Sequence, residues 1–294
     1  MVEKYRDYIE NISKNTGFIG STLEKVDRLI RILEWMNSDE KLNKLLALKG
    51  GTAINTAIFN FPRLSVDIDL DLTENLSKEE MIKERENIHN LLVNYLNSNN
   101  YKINMEKSKN VYALDSIVAE YIDIKGNIDN IKIEINYMNR VHILETKRID
   151  VSTDVLKGKH LTIHCIHPIE IYAAKLCALL SRTTARDLYD VYTLSKYDLF
   201  DDEEKKLLKQ CLMLEYIAVN DYKLKDMKID NVERLKRQDI KTKLLPTLKD
   251  RNPKNSNIDE MKQAVREYLK DILIVDDKNI VKCRVYKAFL FNLQ

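Results

Sequence analysis

The sequence predicts an α+β protein, with a mixed α/β core preceded by helix and followed by a longer helical region. Three observations lead there. Ile19, Leu23, Val26, Leu29, Ile30 and Leu33 recur at helical spacing within residues 1–45. Strict two-residue alternation marks Asp67–Leu72 and again Ile131–Tyr137, as half-buried strands require. From His167 to about residue 275 the period is helical again, before a short tail to Gln294. The expected organisation is therefore an N-terminal helical segment packing on the core over 1–45, the α/β core over 46–165, and a helical C-terminal domain over 166–294. No low-complexity linker and no internal repeat interrupts the chain, so the parts are expected to pack together across a cleft.

The stretch from Leu48 to Leu72 carries the most chemistry. It reads as a Gly50-Gly51-Thr52 turn, an apolar helix-like run, then a strand with alternating carboxylates. On that strand Asp67, Asp69 and Asp71 share one side while Ile68 and Leu70 share the other. Neighbouring carboxylates repel unless a cation sits between them. A hard divalent ion such as Mg²⁺ takes oxygen ligands and keeps positions for water or phosphate. A turn of backbone amides nearby can hold a phosphate. The combination points to nucleotide chemistry. Read in isolation, the same carboxylates could be the charged face of an edge strand.

A charged helix is expected around Lys78–Leu96, and Lys132 and Glu134 would share one face of the Ile131–Tyr137 strand. Pro168 and Glu170 suit the start of a helix on which Ile171, Ala174, Ala178 and Leu179 face a core, with Lys175 beside that stripe. Asp187 and Asp190 fall on one face of the next helix. An interhelical ion-pair or capping cluster of Arg186, Asp187 and Asp190 is an open alternative to a chemical role.

These residues are similar to a known pattern. Gly50-Gly51-Thr52 followed by Arg63-Leu64-Ser65-Val66-Asp67-Ile68-Asp69-Leu70 resembles the signature of nucleotidyltransferase toxins of the AbiEii/AbiGii type. That family lies within the DNA polymerase β-like nucleotidyltransferase superfamily. The later segments Pro168-Glu170…Lys175-Leu176 and Arg186-Asp187…Asp190 match the family as well. The resemblance covers about residues 45–215 specifically and the last third loosely. It implies a polymerase β-like mixed sheet followed by a helical domain.

The resemblance also implies site roles. Asp67 and Asp69 would bind Mg²⁺ (or Mn²⁺), and Glu134 would complete the metal site, with Asp123 as the competing third carboxylate. Gly50, Gly51, Thr52, Arg63 and Ser65 would hold the NTP. Lys175 would offset phosphate charge, Arg186 would assist binding, and Asp187 would take a direct role. The implied activity is metal-dependent transfer of NMP from NTP to RNA, such as the 3′ end of tRNA, by the toxin of a toxin–antitoxin or abortive-infection pair. A cognate antitoxin would be encoded nearby. Transfer to a protein hydroxyl and a non-catalytic nucleotide-binding module are the other readings.

Composition narrows the context. The 294 residues carry a formal charge of only +2, which by itself selects no partner. Locally, Lys223–Lys254 holds eleven Lys/Arg against five Asp/Glu, including Lys225, Lys228, Arg234, Lys236, Arg237, Lys241 and Lys243. Such a basic stretch could steer an RNA backbone, or could be a solvated surface. No apolar run reaches membrane-spanning length, and the start MVEKYRDYIENISK is unlike a signal peptide. Cys165, Cys177, Cys211 and Cys283 show no paired spacing and read as reduced cytosolic thiols, so a cytoplasmic location is expected. His160, His164 and His167 do not share one strand face, which argues against a zinc site.

Overall fold

A computed structural model describes residues 2–138, 142–153, 159–219, 227–252 and 257–274. Lys223, Lys225, Lys254, Cys283 and the tail from 276 lie outside the described residues. The chain divides into two compact units, residues 1–166 and 167–293.

The first unit opens with helices α1 (Val2–Thr16), α2 (Gly20–Ser38) and α3 (Glu40–Leu45). Strand β1 (Leu46–Lys49) leads into the short helix α4 (Gly50–Thr52), which continues as a π-helical turn, Ala53–Ile58. Then come β2 (Asp67–Leu72), α5 (Lys78–Ser98), β3 (Lys102–Ile103), β4 (Lys109–Val111), β5 (Leu114–Ile122), β6 (Ile128–Asn136), β7 (Lys147–Thr153) and β8 (Lys159–Cys165).

These strands form one mixed sheet in the order β3-β5-β6-β2-β1-β8-β7, with β4 also paired to β5. β2 sits inside it, antiparallel to β1 and parallel to β6. Register puts Ile68 opposite Ile133 and Leu70 opposite Ile135, all buried, which makes one sheet face the core. Helix α2 packs on β6 and β8, and α5 on β3 and β5. Of the expected α2 stripe, Leu23, Val26, Leu29, Ile30 and Leu33 are each at most 1% exposed while Ile19 is half-buried at the N-cap; the helix also buries Glu24, Asp27, Ile32 and Met36. Helix α5 starts with a capping box, in which Ser77 and Glu80 exchange side-chain-to-backbone hydrogen bonds.

The second unit is helical: α6 (Pro168–Ser181), α7 (Ala185–Tyr197), α8 (Asp202–Val219), α9 (Arg237–Asp239) and α10 (Ile258–Leu269). Around α9 the chain runs through a 3₁₀ turn (Ile229–Arg234), a π turn (Ile240–Leu244) and another 3₁₀ turn (Leu245–Thr247). Pro168 occupies the first turn of α6, and His167 Nδ1 caps it by accepting from the Ile169 amide.

The expected core stripe of α6 needs correction. Ile171 and Leu179 are buried, but Ala174 is exposed and Ala178 half-buried, while Lys175 is buried. The helix is packed by α7, α8 and the Ile229–Arg234 turn, so its apolar surface is not a single stripe.

Candidate active site

The carboxylate side of β2 faces away from the Ile68/Leu70 core. β1 and β6 extend that side, because Lys49 is in register with Asp69, Lys132 with Asp67, and Glu134 with Asp69. Side chains in register on neighbouring strands stand about 5 Å apart on the same face. Asp67, Asp69 and Glu134 are thereby gathered from two strands.

The ion pairs sort these carboxylates. Asp71, 4% exposed, is bonded by Lys49 Nζ. Glu134 Oε2 accepts from Lys132 Nζ at 2.8 Å, with both side chains partly open to solvent. Asp67 and Asp69 lie between those two pairs, each half-buried. Four carboxylates (67, 69, 71, 134) and two lysines (49, 132) leave this face with a formal charge of −2, which one divalent cation offsets. Lys132 is expected beside Glu134 from the alternation of its own strand, whereas Lys49 enters only because β1 pairs with β2.

Asp123, the alternative third carboxylate, lies elsewhere. It follows β5 in the hairpin turn, where it accepts from the Lys125 and Asn127 amides at 2.8 Å each. What little burial it has would raise its pKa, but those amide bonds outweigh it and hold the carboxyl below the usual range. The β6 end of that turn is Ile128, six residues from Glu134, or about 20 Å of strand.

The glycine turn abuts the same carboxylates. Gly50 adopts φ +71°, a left-handed conformation that favours glycine, and a Cβ there would lie 2.6 Å from Asp69 Oδ2. A Cβ on Gly51 would lie 3.0 Å from both Arg63 Nη2 and Ser65 Oγ. Thr52 is fully buried and its hydroxyl donates to the Asp67 carbonyl. Asn55 Nδ2 donates to the Gly51 carbonyl at 2.8 Å, and Arg63, 2% exposed, donates from Nη1 to the Leu64 carbonyl at 3.0 Å. Five of the expected nucleotide-binding residues (Gly50, Gly51, Thr52, Arg63, Ser65) therefore meet at this turn, though Thr52 and Arg63 are turned inward.

The remaining expected residues belong to the second unit. Lys175 Nζ lies 2.9 Å from Asp187 and 3.1 Å from Asp190, and all three are buried. Arg182 and the capping hydroxyl of Thr184 also bond Asp187, while Arg186 is exposed. Burial alone would raise the Asp187 pKa, but Lys175, Arg182 and Thr184 outweigh it and hold the carboxyl well below the usual range. Locally this is an ion-pair and capping cluster joining α6 to α7.

His164 is engaged through Nδ1 with the Asn43 carbonyl at 2.9 Å and through Nε2 with Thr146 at 2.7 Å. Cys165, Cys177 and Cys211 are free and buried, and burial pushes their thiols up to about 12, 11 and 12, so they are unreactive. Among the described residues no three His, Cys, Asp or Glu side chains form a ready-made metal cage. Mg²⁺ does not need one. It is commonly held by one or two carboxylates plus waters and substrate phosphates, which the donor set of Asp67 and Asp69 fits.

This fold is shared with nucleotidyltransferases. MenT4, a nucleotidyltransferase toxin of Mycobacterium tuberculosis H37Rv, superposes with a TM-score of 0.66 at 14% identity, covering 97% of each chain. JHP933 from Helicobacter pylori gives 0.51 at 18% identity, covering 90% of this chain and 96% of that one. A second H. pylori structure, described as a nucleotidyltransferase, gives 0.51 at 19%, covering 87% and 95%. A comparison with curated proteins finds no match. The family model for the nucleotidyl transferase AbiEii toxin of type IV toxin–antitoxin systems matches residues 31–284, and the chain belongs to that family.

Proposed function

We propose that this toxin-family nucleotidyltransferase moves NMP from an NTP to an RNA acceptor, with the tRNA 3′ end as the leading candidate, in a Mg²⁺-dependent reaction. The observation that carries the proposal is the register that places Asp67, Asp69 and Glu134 on one sheet face, with Gly50 packed against Asp69. Asp67 and Asp69 would hold the ion, and Glu134 would support it once released from Lys132. Bound Mg²⁺ (or Mn²⁺) would supply polarisation of the α-phosphate and a lower pKa for the attacking hydroxyl. The amides of Gly50 and Gly51, with Ser65, would orient the triphosphate so that the acceptor oxygen approaches in line with departing pyrophosphate.

Lys175, Arg186 and Asp187 enter this reading through the family motif. Lys175 would have to leave Asp187 and Asp190 to offset phosphate charge. The exposed Arg234, Lys236, Arg237, Lys241 and Lys243 offer the RNA backbone a basic surface in the second unit. A cognate antitoxin and a cytoplasmic setting complete the proposal. No helix among the described residues is long and apolar enough to cross a membrane.

The test is incubation with total tRNA, Mg²⁺ and each α-³²P NTP separately, beside an Asp67→Ala/Asp69→Ala double variant. Label entering tRNA with the wild type alone supports the proposal and names the donor. Label in protein instead selects hydroxyl modification of a protein, and no transfer by folded protein selects a binding module.

A further inference from the structure

Behind the glycine turn lies a layer of polar side chains that no solvent reaches. Thr52 and Asn55 are 0% exposed and Arg63 2%. The Thr52 hydroxyl is spent on the Asp67 carbonyl, which ties the first helical turn to the strand at its first carboxylate. Thr56 Oγ1 in turn donates to the Thr52 carbonyl at 2.6 Å. Arg63 is the largest fully buried side chain among the described residues, and one edge of its guanidinium lies against Gly51, where a Cβ would come within 3.0 Å of Nη2. Burying a guanidinium is costly unless it is hydrogen-bonded and well placed. Here it fills the space under a turn whose other side abuts Asp69.

We propose that Thr52 and Arg63 are positioning residues which hold the glycine turn at a fixed distance from Asp67 and Asp69, and that neither touches the nucleotide. Thr52 sets the spacing between turn and strand, and Arg63 supports Gly51 from beneath. The proposal rests on the nucleotidyl-transfer reading above. It gives both residues a role in kcat, because an error of about 1 Å between phosphate cradle and metal ligands can cost roughly 10²-fold in rate.

The experiment compares Thr52→Val, which keeps shape but loses the hydroxyl, with Thr52→Ser, which keeps the hydroxyl, and with Arg63→Lys. Each is assayed for binding of an α,β-methylene NTP with Mg²⁺ by calorimetry, for NMP transfer, and for amide hydrogen exchange across residues 46–58. Thr52→Val should bind the analogue within about threefold of wild type and lose at least tenfold in kcat. Its amides across 46–58 should exchange faster, and Thr52→Ser should restore both properties. Arg63→Lys should likewise keep binding and lose kcat. A Thr52→Val protein with unchanged exchange, or with analogue binding weakened in proportion to transfer, overturns the proposal. So does failure of Thr52→Ser to restore exchange and rate. Should wild type transfer nothing, the transfer reading falls, while binding and exchange still decide whether these side chains hold the turn from behind.

Discussion

Gly50 and Asp69 are packed so closely that a methyl group on Gly50 would lie 2.6 Å from the Asp69 carboxylate oxygen Oδ2. The glycine is needed twice over, because its φ of +71° is also one that side chains rarely adopt. Gly50→Ala should therefore cost about 1–2 kcal/mol in backbone strain, and in addition displace a proposed metal ligand. Gly126 is the internal control, with φ +87° and nothing within 4 Å of the place a methyl group would take. Gly126→Ala should show a similar loss of thermal stability with NMP transfer intact, whereas Gly50→Ala should lose transfer by more than its melting temperature explains. Equal transfer by the two variants would remove Asp69 from the site.

Glu134 is bonded to Lys132, so a metal ion must compete with an ammonium group for that carboxylate. Both partners are partly exposed, and pairs of this kind contribute about 0.2–1 kcal/mol. Lys132→Gln should accordingly tighten Mn²⁺ binding, read by electron paramagnetic resonance without any turnover, by roughly 1.5–5-fold. Weaker Mn²⁺ binding in this variant would separate Glu134 from the metal set.

Much of this arrangement was legible in the sequence because it is local. Period-two spacing places Asp67 and Asp69 opposite Ile68 and Leu70 whatever the strand pairs with, and Leu23 to Leu33 mark a helix face by themselves. Lys49 could not be read as the partner of Asp71, since that pair depends on β1 lying beside β2 in one register. The burial of Lys175 was hidden for the same reason: three surrounding elements decide it, whereas its neighbours along the helix made it look peripheral. In the basic stretch, Val232, Leu235, Ile240, Leu244, Leu245 and Leu248 are buried at irregular intervals around Pro246. Short 3₁₀, α and π turns result, where helical periodicity was expected.

Lys175 neutralises two aspartates that are each 1% exposed. Removing one partner of a buried pair typically costs about 3–5 kcal/mol, because the other charge is left uncompensated. Lys175→Met should lower the melting temperature by on the order of 10 °C, and any loss of transfer must be judged against that loss of fold. The carboxylate pKa of Asp187 is depressed, so its contribution is present above the ordinary value of about 3.9 and is lost only as pH falls well below it. A Lys175→Met protein as stable as wild type would show that the cluster does not join α6 to α7.

His89 on α5 is bonded through Nδ1 to Asp115 on β5 at 2.7 Å, and Asp115 is 1% exposed. The Asp115 hydrogen bond raises the imidazole pKa, while partial burial and Arg85, one turn earlier on α5, oppose the rise. Tyr137 also faces Asp115, and burial followed by that carboxylate pushes its phenol far up, so it stays neutral throughout the range of interest. The sign follows from linkage. A raised folded-state pKa means the pair contributes fully below the ordinary imidazole value of about 6.5, and the contribution disappears as pH rises through the raised value. Urea midpoints measured from pH 5.5 upward should therefore fall more steeply for wild type than for His89→Gln once the pH passes about 6.5. Parallel pH profiles for the two proteins would mean that α5 is held on the sheet without the charged form of His89.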